Sequence, residues 1–226
     1  MAWVKICGTT NLRDAQMSIA AGADALGFIF APSPRKVEVE TAAEIIATLP
    51  GQAEMIGVFV DEAPARVAEI AEQVGLSGVQ LHGDETHQSL REFRRALGRR
   101  KIIKVLHADE LLSHGAGKLS EYLSARENFD ATLLDSGSAR QRGGTGAAYD
   151  WNQALPIAAE IRKIMPLIIA GGLNAGNVAR AIERFEPWGV DVVSGVESRP
   201  GEKDETMVRD FIAAARQTAA SLRQKE

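Results

Sequence analysis

Met55-Ile56-Gly57-Val58-Phe59-Val60 is a short apolar, β-branched run, and beyond it Val67, Ile70, Ala71 and Val74 recur at helical spacing. The first block has the length and composition of a strand, and the second marks one apolar helix face. The same unit repeats in both directions along the chain. Apolar runs at 4–7, 25–30, 78–82, 101–106, 131–135, 167–170 and 190–193 bring the candidate strands to eight, and Val178, Ala181, Ile182 and Phe185 mark another helix face. Strands that are nearly continuous in apolar residues and alternate with helices belong to parallel sheets covered on both faces. Eight such units favour a closed (β/α)8 barrel, the TIM barrel of the α/β class, over an open doubly wound sheet. A last helix over 205–216 places Met207, Val208, Phe211, Ile212 and Ala215 on one stripe and is expected to cover the sheet.

The chain has 226 residues, 45% hydrophobic and 25% charged, which suits one barrel domain spanning 1–226. A net charge of −4 argues against a nucleic-acid partner, which calls for a basic surface. Cys7 is the single cysteine, so an internal disulfide is excluded, and a reducing, cytoplasmic compartment is expected. No apolar run approaches the roughly 20 residues of a membrane helix, and residues 1–7 are too short and mixed for a signal peptide. No membrane partner is expected.

Barrels of this kind carry their sites at the C-terminal ends of the strands. Cys7, His82 and Asp135 each end a predicted strand. A lone cysteine is commonly a small buried apolar residue, and an aspartate commonly caps loop backbone, but these positions also suit a thiol and a carboxyl that face a ligand. Glycines cluster late in the chain as Gly143-Gly144-Thr145-Gly146, Ala170-Gly171-Gly172 and Ser194-Gly195. Their backbone N–H groups can approach an anion closely, and loops after strands seven and eight recur as phosphate sites, although any one cluster also serves a tight turn. Lys5, two residues before Cys7, points to the same side of the strand, either to support a thiolate or to pair with a buried carboxylate. His87, His107 and His114 read as exposed helical or loop residues, and no histidine spacing matches a metal motif, so no metal is expected. The basic run Arg94-Arg95 and Arg99-Arg100-Lys101 reads as a solvated face.

Several segments together resemble the phosphoribosylanthranilate isomerase family of the tryptophan pathway: Lys5-Ile6-Cys7-Gly8, Gly22-Ala23-Asp24-Ala25-Leu26-Gly27-Phe28, Ser33-Pro34-Arg35, Val79-Gln80-Leu81-His82-Gly83, Leu133-Leu134-Asp135-Ser136 and Val190-Asp191-Val192-Val193-Ser194-Gly195-Val196-Glu197-Ser198. The resemblance implies an Amadori rearrangement of N-(5-phosphoribosyl)anthranilate to 1-(2-carboxyphenylamino)-1-deoxyribulose 5-phosphate, without a cofactor, by a monomer. It implies Asp135 as general acid and Cys7 as general base. Arg35 would bind the anthranilate carboxylate and His82 would neighbour it, with Gly144, Gly146, Gly171, Gly172, Ser194 and Gly195 around the phosphate. A free thiol titrates near 8.5, so a useful thiolate calls for nearby positive charge, and such a setting is expected at Cys7. The loops 8–11 and 136–148 are expected to order on substrate binding.

Two departures from the family pattern stand out. The loop Ala31-Pro32-Ser33-Pro34-Arg35 is one residue shorter than the common Pro-x-Ser-Pro-Arg form, and Thr9 replaces the usual isoleucine beside Cys7. Among alternatives, the analogous histidine-pathway isomerase carries a carboxylate where Cys7 stands, and indole-glycerol-phosphate synthase uses lysines where Asp135 fits poorly. A catalytically silent barrel that binds a phosphorylated ligand would keep the fold and the glycine loops. Retention of both Cys7 and Asp135 speaks against it.

Overall fold

The computed structural model describes residues 2–49, 51, 53–114, 116–135 and 151–224. Elements follow in the order β1 (Trp3–Cys7), α1 (Leu12–Ala20), β2 (Ala25–Ile29), α2 (Val39–Ala47), β3 (Glu54–Phe59), α3 (Pro64–Val74), β4 (Gly78–Leu81), α4 (His87–Leu97) and β5 (Lys101–His107). The chain continues through α5 (Ala108–His114), α6 (Ala116–Ser124), β6 (Ala131–Asp135), α7 (Trp151–Arg162), β7 (Leu167–Ala170), α8 (Val178–Phe185) and β8 (Gly189–Val192). A short hairpin, β9 (Glu197–Arg199) and β10 (Glu202–Lys203), precedes the last helix, α9 (Glu205–Arg223). Strands β1 to β8 form a closed parallel barrel, and the eight predicted strands match them to within one residue at each end. Closure comes from β1 against β8, where Lys5 pairs in register with Asp191.

Alternation along each strand divides the apolar residues between two cores. Ile56, Ile103, Val105, Leu133, Ile168 and Ala170 point inward and fill the barrel. Val4, Ile6, Leu26, Phe28, Leu134 and Val190 point outward and pack beneath the helices. Each fully buried aliphatic or aromatic side chain contributes about 1.5–3 kcal/mol, so a strand buried on both faces is held along its whole length. That is why most strand positions are apolar, while the buried polar residues Lys5, Gln80 and Asp191 pair with one another.

Local signals set the helix ends. Asn11 caps α1 by accepting from Asp14 N, Thr86 caps α4 through Ser89 N, and Asp204 caps α9 through Met207 N. Pro64 opens α3, and Gly75 closes it in the left-handed conformation at φ 77°. Helix α9 is longer than predicted and lies against both α8 and α1, so it closes the outer ring. Val208, Phe211, Ile212 and Ala215 are buried there as expected. Met207 is exposed, because it sits at the edge of the stripe, in the first turn.

At the N-terminal end of the barrel Trp3 stacks on Trp188 with ring centroids 5.0 Å apart. The Lys101 ammonium lies 5.5 Å and 5.3 Å from those two rings and pairs with Glu54 at 2.6 Å. This end is sealed by aromatic packing, which leaves the opposite end for chemistry. Among the described residues no helix is long and apolar enough to cross a membrane.

Candidate active site

Cys7 is the last residue of β1, and its side chain is buried at the C-terminal mouth of the barrel. Space for the thiol comes from the neighbouring strand. Gly27 pairs in register with Cys7, and a β-carbon there would stand 2.4 Å from the Cys7 Sγ. Gly8 then turns the chain away at φ 78°, while Gly8 N and Thr9 N both donate to Gly27 O at 2.9 Å. One layer below, the Lys5 ammonium donates to Asp191 Oδ1 at 2.7 Å and Gln80 Oε1 at 2.9 Å, all three residues being buried. Lys5 therefore has the buried carboxylate partner that its position allowed, and it also acts on the thiol.

The positive charge expected near Cys7 is present, but it does not set the balance there. Burial pushes the thiol pKa up, Lys5 and, more weakly, Lys203 pull it down, and Asp191 pushes it up again; the net direction is upward. Two cations are present as anticipated, but desolvation of a thiolate this deep, together with the Asp191 charge, outweighs them.

Asp135 ends β6, buried, with its Oδ2 3.8 Å from His82 Nε2. His82 follows β4 directly, and its ring centroid lies 5.1 Å from that of His107. His107 corrects the sequence reading: it is the last residue of β5, buried, rather than an exposed loop histidine. The strand runs one residue further than predicted, and inward parity from Ile103 and Val105 carries residue 107 into the barrel mouth. His87 opens α4 and is half-buried, and the side chain of His114 lies outside the described part of the chain. Ligand atoms of His82, His107 and Asp135 all lie within 4.8 Å of one another, so these three could share a divalent cation. Sequence spacing could not show this, because three different strands bring them together.

The short loop after β2 delivers Arg35 to the same mouth. Its Nε and Nη2 donate to the Glu197 carboxylate at 2.7–3.0 Å. Lys203 Nζ donates to Glu197 Oε1 at 3.0 Å, to Cys7 O at 2.6 Å and to Val193 O at 3.3 Å. Burial alone would raise the Glu197 pKa, but hydrogen bonds from Arg35 and the Lys203 charge bring it below the ordinary glutamate value. After β7, Gly171 and Gly172 take positive φ of 88° and 63°, and a β-carbon on Gly195 would stand 1.8 Å from Leu173 O. The loops after β7 and β8 thus pack backbone on backbone. Gly144 and Gly146 lie outside the described residues, as does the predicted loop 136–148.

Cys7, Arg35, His82, Asp135, Gly171, Gly172 and Ser194 line one cavity of about 380 Å³. The family model described as N-(5′-phosphoribosyl)anthranilate (PRA) isomerase matches residues 4–214 of the chain. The chain belongs to the phosphoribosylanthranilate isomerase family. It is 44% identical over 219 residues to N-(5′-phosphoribosyl)anthranilate isomerase of Pelobacter propionicus, covering 96% of this chain and 97% of that protein. It superposes on phosphoribosyl anthranilate isomerase from Thermotoga maritima with a TM-score of 0.83, 38% identity and coverage of 96% and 100%. A phosphoribosyl anthranilate isomerase solved with reduced 1-(o-carboxyphenylamino)-1-deoxyribulose 5-phosphate gives 0.80, 37%, 96% and 100%.

Within phosphoribosylanthranilate isomerase terms, the shortened loop still brings Arg35 to the cavity wall. Thr9, the other departure, is buried, and its hydroxyl has no hydrogen-bond partner among the described residues. Of the basic run, Arg94 pairs with Asp130, Arg100 with Glu72 and Lys101 with Glu54, in line with partly solvated ion pairs. Gly27, His107, Glu197 and Lys203 were not given site roles by the sequence reading. Gly27 and Glu197 sit inside motifs quoted above, but nothing in the sequence places Lys203 beside Cys7, 196 positions away.

Proposed function

We propose that this isomerase converts N-(5-phosphoribosyl)anthranilate to 1-(2-carboxyphenylamino)-1-deoxyribulose 5-phosphate, with Asp135 as general acid and Cys7 as general base. The observation that carries the reading is that Cys7 and Asp135 line the same cavity as Arg35, Gly171, Gly172 and Ser194. The phosphate sits against Gly171, Gly172, Ser194 and Gly195, and the family resemblance adds Gly144 and Gly146, which lie outside the described residues. Arg35 takes the anthranilate carboxylate through the guanidinium edge that Glu197 leaves open.

Asp135 donates a proton to the furanose ring oxygen, the C1′–O bond breaks, and the anthranilate nitrogen supplies its lone pair to form an iminium. That cation makes the C2′ proton acidic. Cys7 removes it, the C–H electrons form the enolamine, and reprotonation at C1′ with loss of the hydroxyl proton gives the ketone. No electrons are gained or lost overall, so no cofactor is called for. Cys7 acts as the thiolate: burial and Asp191 work against that form, while Lys5, Lys203 and the iminium charge beside it favour it.

The test follows isomerisation by loss of anthranilate fluorescence for the native chain, Cys7→Ser and Asp135→Asn. Each folded variant is expected to lose on the order of 10²–10⁴-fold in kcat, the range of a single acid or base. Native turnover retained in either variant would move that role to another residue. Tight binding without native turnover would favour a silent barrel.

A further inference from the structure

We infer that Glu197 and Lys203, on the hairpin after β8, are positioning residues that fix the Arg35 guanidinium for a ligand carboxylate and tie it to the strand end carrying Cys7. The inference rests on the proposed roles of Arg35 and Cys7. Glu197 engages Arg35 on one edge only: Nε donates at 2.9 Å and 3.0 Å, and Nη2 at 2.7 Å. Among the described residues Nη1 makes no hydrogen bond, and Arg35 lines the cavity. A guanidinium offers five donors in a rigid plane, so locking the Nε edge fixes where the remaining donors point.

Glu197 is the carboxylate shared by both cations, and its side chain is only 3% exposed. One carboxylate between an arginine and a lysine leaves positive charge to be met at a largely dry site, and an anionic ligand meets it. Lys203 in turn is fully committed. Its ammonium spans Glu197, Cys7 O and Val193 O, its backbone N donates to Asp14 Oδ2 at 2.7 Å, and the hairpin turn accepts at Gly201 O from Thr10 Oγ1 at 2.6 Å. The hairpin therefore straps the ends of β1 and β8 to the Arg35 loop. A displacement at one would be felt at the others. Charged groups facing Cys7 are Lys5 on its own strand, Asp191 on β8 and Lys203 on β10, with Arg35, His82 and Asp135 around the same cavity.

Without Glu197, Arg35 regains rotamer freedom that binding must remove, and loses its charge-assisted anchor. Glu197→Gln, nearly isosteric, is expected to raise KM for phosphoribosylanthranilate about tenfold, with a smaller effect on kcat. The penalty is expected to vanish for the analogue made with aniline, which lacks the carboxylate. Lys203→Met is expected to give the same KM effect and to move the pH midpoint of iodoacetamide alkylation of Cys7 upward, by removing a cation. An equal KM penalty on both substrates, or unchanged kinetics with only a lower melting temperature, would overturn the inference. If Lys203→Met does not fold, Glu197→Gln decides alone. If the native chain turns over neither substrate but binds anthranilate, and Glu197→Gln loses that binding, the functional reading falls and the positioning inference stands.

Discussion

Replacing Gly27 with alanine tests how the barrel makes room for its only thiol. A β-carbon at residue 27 would lie 2.4 Å from Cys7 Sγ, 3.0 Å from Cys7 Cβ and 3.1 Å from Cys7 Cα. Carbon atoms in good contact are about 3.5–4.0 Å apart, so all three distances are too short. Rotation about χ1 would relieve only the first, because Cβ and Cα belong to a strand held in register with residue 27. The strands must part or the thiol end of β1 must move. Overpacking of this kind costs about 1–3 kcal/mol, and at roughly 2–4 °C per kcal/mol for a chain of this size the melting temperature should fall by about 2–12 °C. A base displaced by about 1 Å costs on the order of 100-fold in rate. Thermal unfolding and kcat for Gly27→Ala, compared with Gly117→Ala, measure both. Gly117 is exposed on α6 with nothing within 4 Å of an added β-carbon, so alanine there should be neutral or stabilising by up to about 1 kcal/mol. Native melting temperature and native kcat in Gly27→Ala would refute the argument that glycine is needed to seat Cys7.

Lys5→Met should cost about 3–5 kcal/mol near neutral pH, because Asp191 is left as an uncompensated buried charge, and urea unfolding reads it. Burial lowers the Lys5 pKa but Asp191 and Cys7 raise it further, to a net value above the ordinary 10.5; its stabilisation is complete below 10.5 and lost as pH rises through the folded value. The alkaline fall in native stability should therefore be shallower in Lys5→Met. Since Cys7 is the only cysteine and its pKa is raised, iodoacetamide alkylation of the empty enzyme should titrate above the free-thiol value of about 8.5; a midpoint below it would contradict the desolvation argument. Gly195→Ala would drive a β-carbon into the Leu173 carbonyl at 1.8 Å, so the loops after β7 and β8 must separate, and protection of Cys7 by inorganic phosphate should require at least about tenfold more phosphate. Unchanged protection would remove these loops from the phosphate site.

The strand–helix repeat was legible because burial of a parallel strand on both faces leaves an unmistakable apolar run, and eight such runs gave the barrel and its strand ends to within a residue. Cys7, His82 and Asp135 were legible for the same reason: a polar residue that ends an apolar strand lies at the mouth of the barrel. What the sequence could not determine is which distant residues meet there. His107 was misread because one further residue of β5 decides whether a side chain faces solvent or the barrel interior. The positive charge expected near Cys7 is there in Lys5 and Lys203, but the direction of the thiol pKa also depends on how deeply the sulfur is buried and on Asp191, neither of which spacing along the chain reports. The contacts of Arg35 with Glu197 and of Lys203 with the Cys7 carbonyl join residues 162 and 196 positions apart, through a hairpin too short to show in hydrophobic periodicity. Local pattern determines elements, because each element must bury its own apolar face. Closing the barrel alone brings β1, β6 and β8 to one mouth, so the electrostatics of the site belong to the tertiary structure.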